Sequence, residues 1–145
     1  VSTPVHIKDG QGSGHLASVS STGALLVTPP AFEEVSYADM TSANTAYEMF
    51  APIYGKQFVM TGIIVTAKKN VAQDEIVEVY EADSGDSTTV TKAILTLEML
   101  ASSSRDITGL NLLISAGSFL NVKADDNDTA VSIVGYYVDS AGLND

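Results

Sequence analysis

The 145-residue sequence predicts an all-β protein, an antiparallel β-sandwich of about eight strands preceded by an extended N-terminal arm, and three observations carry that prediction. Short runs rich in Val, Ile, Thr, Tyr and Phe recur from Phe32 onward, each closed by turn residues. Several of these runs alternate with a period of two: Leu120, Val122 and Ala124 share one side, and Asn121, Lys123 and Asp125 share the other. The first thirty residues have a different texture, with Gly10, Gly12, Gly14 and Gly23, prolines at 4, 29 and 30, and Lys8 and Asp9 as the charged side chains.

The arm is assigned to residues 1–30 and the sandwich to 31–145. Within the arm, Asp9-Gly10 and the Gly12, Gly14 pair are turn material, because glycine reaches positive φ without a Cβ clash. Residues 15–20 and 23–28 can form a small hairpin around Ser21-Thr22. Pro29-Pro30 cannot donate to a ladder and favours an extended path, which makes it a boundary.

Eight strands are expected in the sandwich, at 32–39, 46–51, 56–67, 75–82, 89–99, 109–115, 118–125 and 130–139. Turn signals separate them: Pro52 with Gly55, Lys69-Asn70, Asp83-Ser84-Gly85-Asp86, Ala116-Gly117, and Asp126-Asn127-Asp128. Ala93, Leu95, Leu97 and Met99 are expected to share an inward face. Residues 101–104 are read as a surface loop ending at Arg105-Asp106. Phe58 to Val65 and Val131 to Val138 are apolar on both faces, which suits central strands, a face under a loop or the arm, or a surface covered by another subunit.

Composition bounds the function. At 15.2 kDa the chain fits one domain with its own core. Eighteen acidic against seven basic residues give a formal charge of −11, which repels phosphates and anionic lipid head groups, so direct binding to nucleic acid or membrane is not expected. Cysteine is absent, which excludes disulfides and thiolate chemistry. No basic segment followed by an apolar run opens the sequence, and no stretch of about 18 apolar residues occurs, so a soluble protein made in the cytoplasm is expected.

No catalytic residue is assigned. The histidines, His6 and His15, flank the glycine run, and Asp9, Ser13 and His15 could be drawn as a triad. A mobile arm would not hold the geometry, and no Gly-x-Ser-x-Gly elbow accompanies them. Gly10, Gly12 and Gly14 do not make a phosphate loop, for no Gly-Lys-Ser/Thr sequence follows. Hard cations want converging oxygens, and Asp125, Asp126 and Asp128 are the candidate metal ligands, with Asp83 and Asp86 a second carboxylate pair; aspartates at strand junctions also simply support turns. No cofactor is expected. Tyr136 and Tyr137 must face opposite sides of a strand, so one ring points away from the core and suits a subunit contact. With Val5, Ile7, Leu16, Leu25, Leu26 and Val27 of the arm, they are the candidate interface residues.

The arm text PVHIKDGQGSGHLASVSSTGALLVTP, with GKQFVMTGIIVTAKK, ILTLEML, TGLNLLI and SFLNVKADDNDTAVSIVGYYV, resembles small virion structural proteins of tailed bacteriophages. The arm carries most of the likeness, through Val-x-Ile-x-Asp-Gly followed by Gly-Ala-Leu-Leu-Val. The resemblance implies a capsid decoration, or cement, protein with a jelly-roll-like sandwich, commonly a homotrimer, without catalytic residues. It further implies attachment to the capsid exterior, with the major capsid protein or another virion protein as partner, after synthesis in the host cytoplasm. The alternative is a tail, adaptor or head-fibre component whose sandwich binds a host receptor or glycan.

Overall fold

Backbone hydrogen-bonding groups must be paired wherever they leave water, and the described strands of this chain pair theirs through antiparallel ladders. A computed structural model describes residues 33–68 and 74–140, together with the backbone of two short strands, β1 (Ser18–Val19) and β2 (Leu25–Leu26). The chain divides into two units, Val1–Phe32 and Glu33–Asp145. In the first, β1 and β2 pair antiparallel with Ser18 opposite Leu26 and Val19 opposite Leu25, inside the two stretches expected to form a hairpin. The second unit has nine strands among its described residues: β3 (Glu34–Met40), β4 (Tyr47–Phe50), β5 (Lys56–Ala67), β6 (Glu75–Ala82), β7 (Lys92–Met99), β8 (Ser104–Ile107), β9 (Leu112–Leu113), β10 (Phe119–Ala124) and β11 (Thr129–Asp139).

These strands form two sheets, β4-β10-β6-β7 and β3-β11-β5-β8, with β9 also paired to β5. Counted in chain order, with β8 and β9 together as the sixth position, the first strand pairs with the last, the second with the seventh, the third with the sixth and the fourth with the fifth. That nesting is one long hairpin rolled over on itself, which is the topology of a jelly roll.

The inner faces follow from alternation. Met40, Met60, Ile63, Val65, Val131 and Ile133 of one sheet meet Val77, Val79, Met99, Leu120 and Val122 of the other, all essentially excluded from water. Phe50 stacks on Phe58 with centroids 3.8 Å apart, and Tyr137 closes the group edge-on. β5 and β11, the two stretches apolar on both faces, are the central strands of their sheet, each with a ladder on both edges.

Three expectations are corrected. The strand at 109–115 survives only as β9, because Gly109 turns the chain at φ 72°. In its place the polar stretch read as a loop supplies β8, whose Ser104 to Ile107 pair with Thr66 to Ile63. The strand expected from 89 starts at Lys92, since Thr91 is tied by its N–H and hydroxyl to the Glu81 carbonyl. A bulge at Ile94 then shifts the phase, placing Ala93 opposite Tyr80 and in solvent, while Leu97 and Met99 keep the inner face.

A second bulge sits in the longest ladder. Val134 pairs with Gly62 and Gly135 with Met60, so Thr61 of β5 is the extra residue. The strands close in there: a Cβ on Gly135 would lie 2.1 Å from the Val59 carbonyl oxygen and 2.4 Å from the Phe58 ring. Backbone and a stacked ring cannot both withdraw. Gly135→Ala is expected to destabilise the fold by about 3 kcal/mol, read as a lower urea midpoint with an unchanged slope; an unshifted midpoint would show that the close approach relaxes freely.

Candidate functional site

The two sheets differ in what covers their outer faces. On β4-β10-β6-β7 the chain covers itself. Residues 83–91 cross the outside of the sheet, and the Tyr80 hydroxyl donates to the Ser87 carbonyl at 2.7 Å. The Asn121 side-chain nitrogen donates to the carbonyls of Ser84 and Ser87, and Lys123 Nζ to that of Thr88 at 2.9 Å. The Lys123 ammonium also stands 5.0 Å from the Tyr80 ring centroid. Burial pushes the Tyr80 phenol up, against a hydrogen bond from Asn121. Asn121 thus lies on the polar side that alternation assigns it, yet is fully buried beneath this loop.

The outer face of β3-β11-β5 is covered by no such loop among the described residues. Two ladder rows cross it. Val35 of β3 lies opposite Val134 of β11, which lies opposite Gly62 of β5; Tyr37 lies opposite Ser132, then Ile64, then Asp106 of β8. Val35 is 66% exposed, Tyr37 62%, Ile64 43%, and Leu113 of β9 51%. Scattered apolar side chains on a surface are ordinary, but a contiguous patch on one sheet face marks a contact site.

A groove of about 450 Å³ runs beside these rows where β8 stops and β9 has not begun. Ile63, Ile64, Leu110 and Val134 are its apolar lining, and Glu33 and Asp106 its charged groups. Glu33 is held by a hydrogen bond from the Thr61 hydroxyl at 3.0 Å. The bulge at Thr61 and the break at Gly109 together open this space.

Of the candidate interface residues, Tyr136 lies on the outer side of β11, half-buried, opposite Val59. Tyr137 faces inward: its hydroxyl donates to the Ala51 carbonyl at 2.7 Å, and burial pushes its phenol up, helped by Glu34 and Glu48. Of the pair, Tyr136 is the one left for a contact. Val5, Ile7, Leu16 and Val27 lie outside the described residues, and Leu25 and Leu26 are described only as backbone in β2. His6, Asp9, Ser13 and His15 lie outside them too.

The aspartate run does not converge. Asp125 Oδ1 accepts the Ile76 N–H at 2.7 Å, Asp126 Oδ1 accepts the Asn127 N–H at 2.8 Å, and Asp128 turns the chain at φ 66°. Asp86 accepts the Ser84 hydroxyl at 2.6 Å, which with a backbone hydrogen bond holds its carboxyl below the usual range. Among the described residues no three His, Cys, Asp or Glu side chains form a group that could hold a metal ion. No helix there is long and apolar enough to cross a membrane. The groove went unnoticed in the sequence, while the two-sided apolarity of 58–65 and 131–138 left an apolar outer face as one reading; alternation in 34–40 marks Val35 and Tyr37 as one row, but not as the outer one.

No protein-family model matches the chain, and no curated protein matches it. Among solved structures, a chain of the cyanophage Pam1 capsid asymmetric unit aligns over 81% of this chain and 96% of its own length, at 18% identity and a TM-score of 0.40. A likeness that distant carries no argument about this chain.

The self-covered face gives a test of its own. Asn121→Ala leaves the carbonyls of Ser84 and Ser87 without their shared donor beneath the loop. We expect a loss of about 1–3 kcal/mol together with faster amide exchange across residues 83–91; protection equal to wild type would show that Asn121 does not hold the loop down.

Proposed function

We propose that the chain is a non-catalytic virion structural protein, a capsid decoration protein that binds the outer surface of the shell as an oligomer and stabilises it. The observation that carries this reading is the apolar face of β3-β11-β5, which no described residue covers, set against an opposite sheet that covers itself. The resemblance of the arm text to virion proteins of tailed phages supplies the setting. An acidic subunit suits the outside of a particle filled with nucleic acid, because its charge of −11 does not draw it toward phosphate.

Magnitudes say how such a contact works. Val35, Ile64 and Leu113 are each about half exposed, so covering what remains is worth about 1 kcal/mol apiece. Association costs about 4–15 kcal/mol in lost freedom. The face alone does not hold a stable complex; tyrosine anchors at Tyr37 and Tyr136 and further contacts must add to it. Repeated attachment through an oligomer then raises retention without tighter single sites.

A tail, adaptor or head-fibre role is the second reading, favoured by the β4–β5 turn, where Tyr54 is 95% exposed beside an exposed Ile53. An aromatic at a loop tip suits a receptor contact.

The test is Tyr37→Glu combined with Ile64→Glu in the full chain. Both residues face solvent, so stability should stay within about 0.5 kcal/mol of wild type, while co-sedimentation with particles and self-association both fall. A folded double variant that still decorates particles fully as an oligomer removes the decoration reading. Binding to host cells through the Tyr54 turn, lost in Tyr54→Ser, would favour the second.

A further inference from the structure

The groove beside β5 has a shape and charge that select an occupant. Its apolar lining is Ile63, Ile64, Leu110 and Val134, and its ionisable groups are the carboxylates Glu33 and Asp106, with no lysine or arginine among the described residues that line it. The β5 backbone there is already engaged, for the Leu110 N–H donates to the Thr61 carbonyl at 2.9 Å. An occupant therefore docks through side chains rather than as an added strand: it must be extended, apolar on one side and basic on the other. Residues 5–8, Val-His-Ile-Lys, are such a segment, where Val5 and Ile7 alternate with His6 and Lys8. Glu33, the residue at which the second unit begins, itself lines the groove. About two dozen residues separate it from Lys8; β1 and β2 fold back the middle of that stretch, and the roughly fifteen residues outside them span up to about 50 Å when extended, several times the roughly 13 Å radius of gyration of a domain this size.

We infer that the groove receives residues 5–8 of a second copy of the chain, with Val5 and Ile7 against Ile64, Leu110 and Val134, and Lys8 against Asp106 and Glu33. This rests on the oligomeric reading above and deepens it by naming the site. An arm passed from each subunit to the next makes a head-to-tail contact that closes into a ring. It also adds apolar burial and a charge pair to a sheet face that is too small by itself.

Charge reversal in the full-length chain tests it, with self-association followed by sedimentation and folding by the urea midpoint. Lys8→Asp or Asp106→Lys alone should weaken assembly about tenfold or more with the midpoint unchanged, since Asp106 is exposed. Mixing the two single variants should restore assembly, in full for an even-membered ring and at two contacts of three for a trimer, because wherever the variants alternate an arm meets a groove of opposite sign. If assembly returns only when both substitutions sit in one chain, the arm docks on its own sandwich and the inference is overturned. Val5→Asp with Ile7→Asp separates the two levels of the argument. Dispersal by this pair while Asp106→Lys has no effect refutes the groove and leaves the arm as an assembly element. Assembly unchanged by the pair, or a wild-type chain that sediments as a monomer, refutes the oligomeric reading beneath it.

Discussion

The ladder between β11 and β5 organises the molecule. Eleven residues of β11 pair with β5 from Asp139 opposite Lys56 to Thr129 opposite Ala67, and every other strand of that sheet hangs from one of these two. Val131 and Ile133 on one strand and Ile63 and Val65 on the other present a continuous inner row, against which the opposite sheet packs Val77, Val79, Leu120 and Val122. Because β11 is the last described strand and β5 the third of the second unit, this pairing closes a loop of about sixty residues, 68–128. The entropy of that closure is recovered only when the enclosed strands fold over the same core. Nested pairing and a single hydrophobic centre are therefore one constraint.

The same ladder creates the candidate site. A regular pair of strands would leave no room on its outer face, but the extra residue Thr61 and the close approach at Gly135 bend β5. The edge strand beside it then breaks at Gly109 into β8 and β9, and the groove opens in the break. Fold and surface are coupled through one irregularity. On the other sheet, irregularity is absorbed internally: the loop over Tyr80 and Asn121 satisfies its own carbonyls and leaves little apolar surface for a partner.

Legibility followed burial. Strands β5 and β6 match their expected bounds end for end, since their apolar content and flanking turn residues signal them locally. β8 was missed because Ser104, Arg105 and Asp106 sit at a sheet edge in solvent, and what makes them a strand is hydrogen bonding to β5, some forty residues away. The alternation in β7 held for Leu95, Leu97 and Met99 and failed at Ala93, because the bulge at Ile94 shifts the phase against the partner strand. The aspartates at 125–128 read first as turn formers and only second as ligands, and in the structure Asp125 and Asp126 accept backbone N–H groups.

By itself, the sequence determined the all-β class, most strand bounds and the principle that one of Tyr136 and Tyr137 must point outward, because these depend on residue spacing along one strand. Tertiary structure decided which strands lie side by side, that Tyr137 turns inward to Ala51, and that among the described residues one sheet face stays open while the other is covered. Those outcomes depend on which strand lies beside which. A local pattern holds the two faces of a strand apart, but only the neighbours across the ladder say which face meets the core.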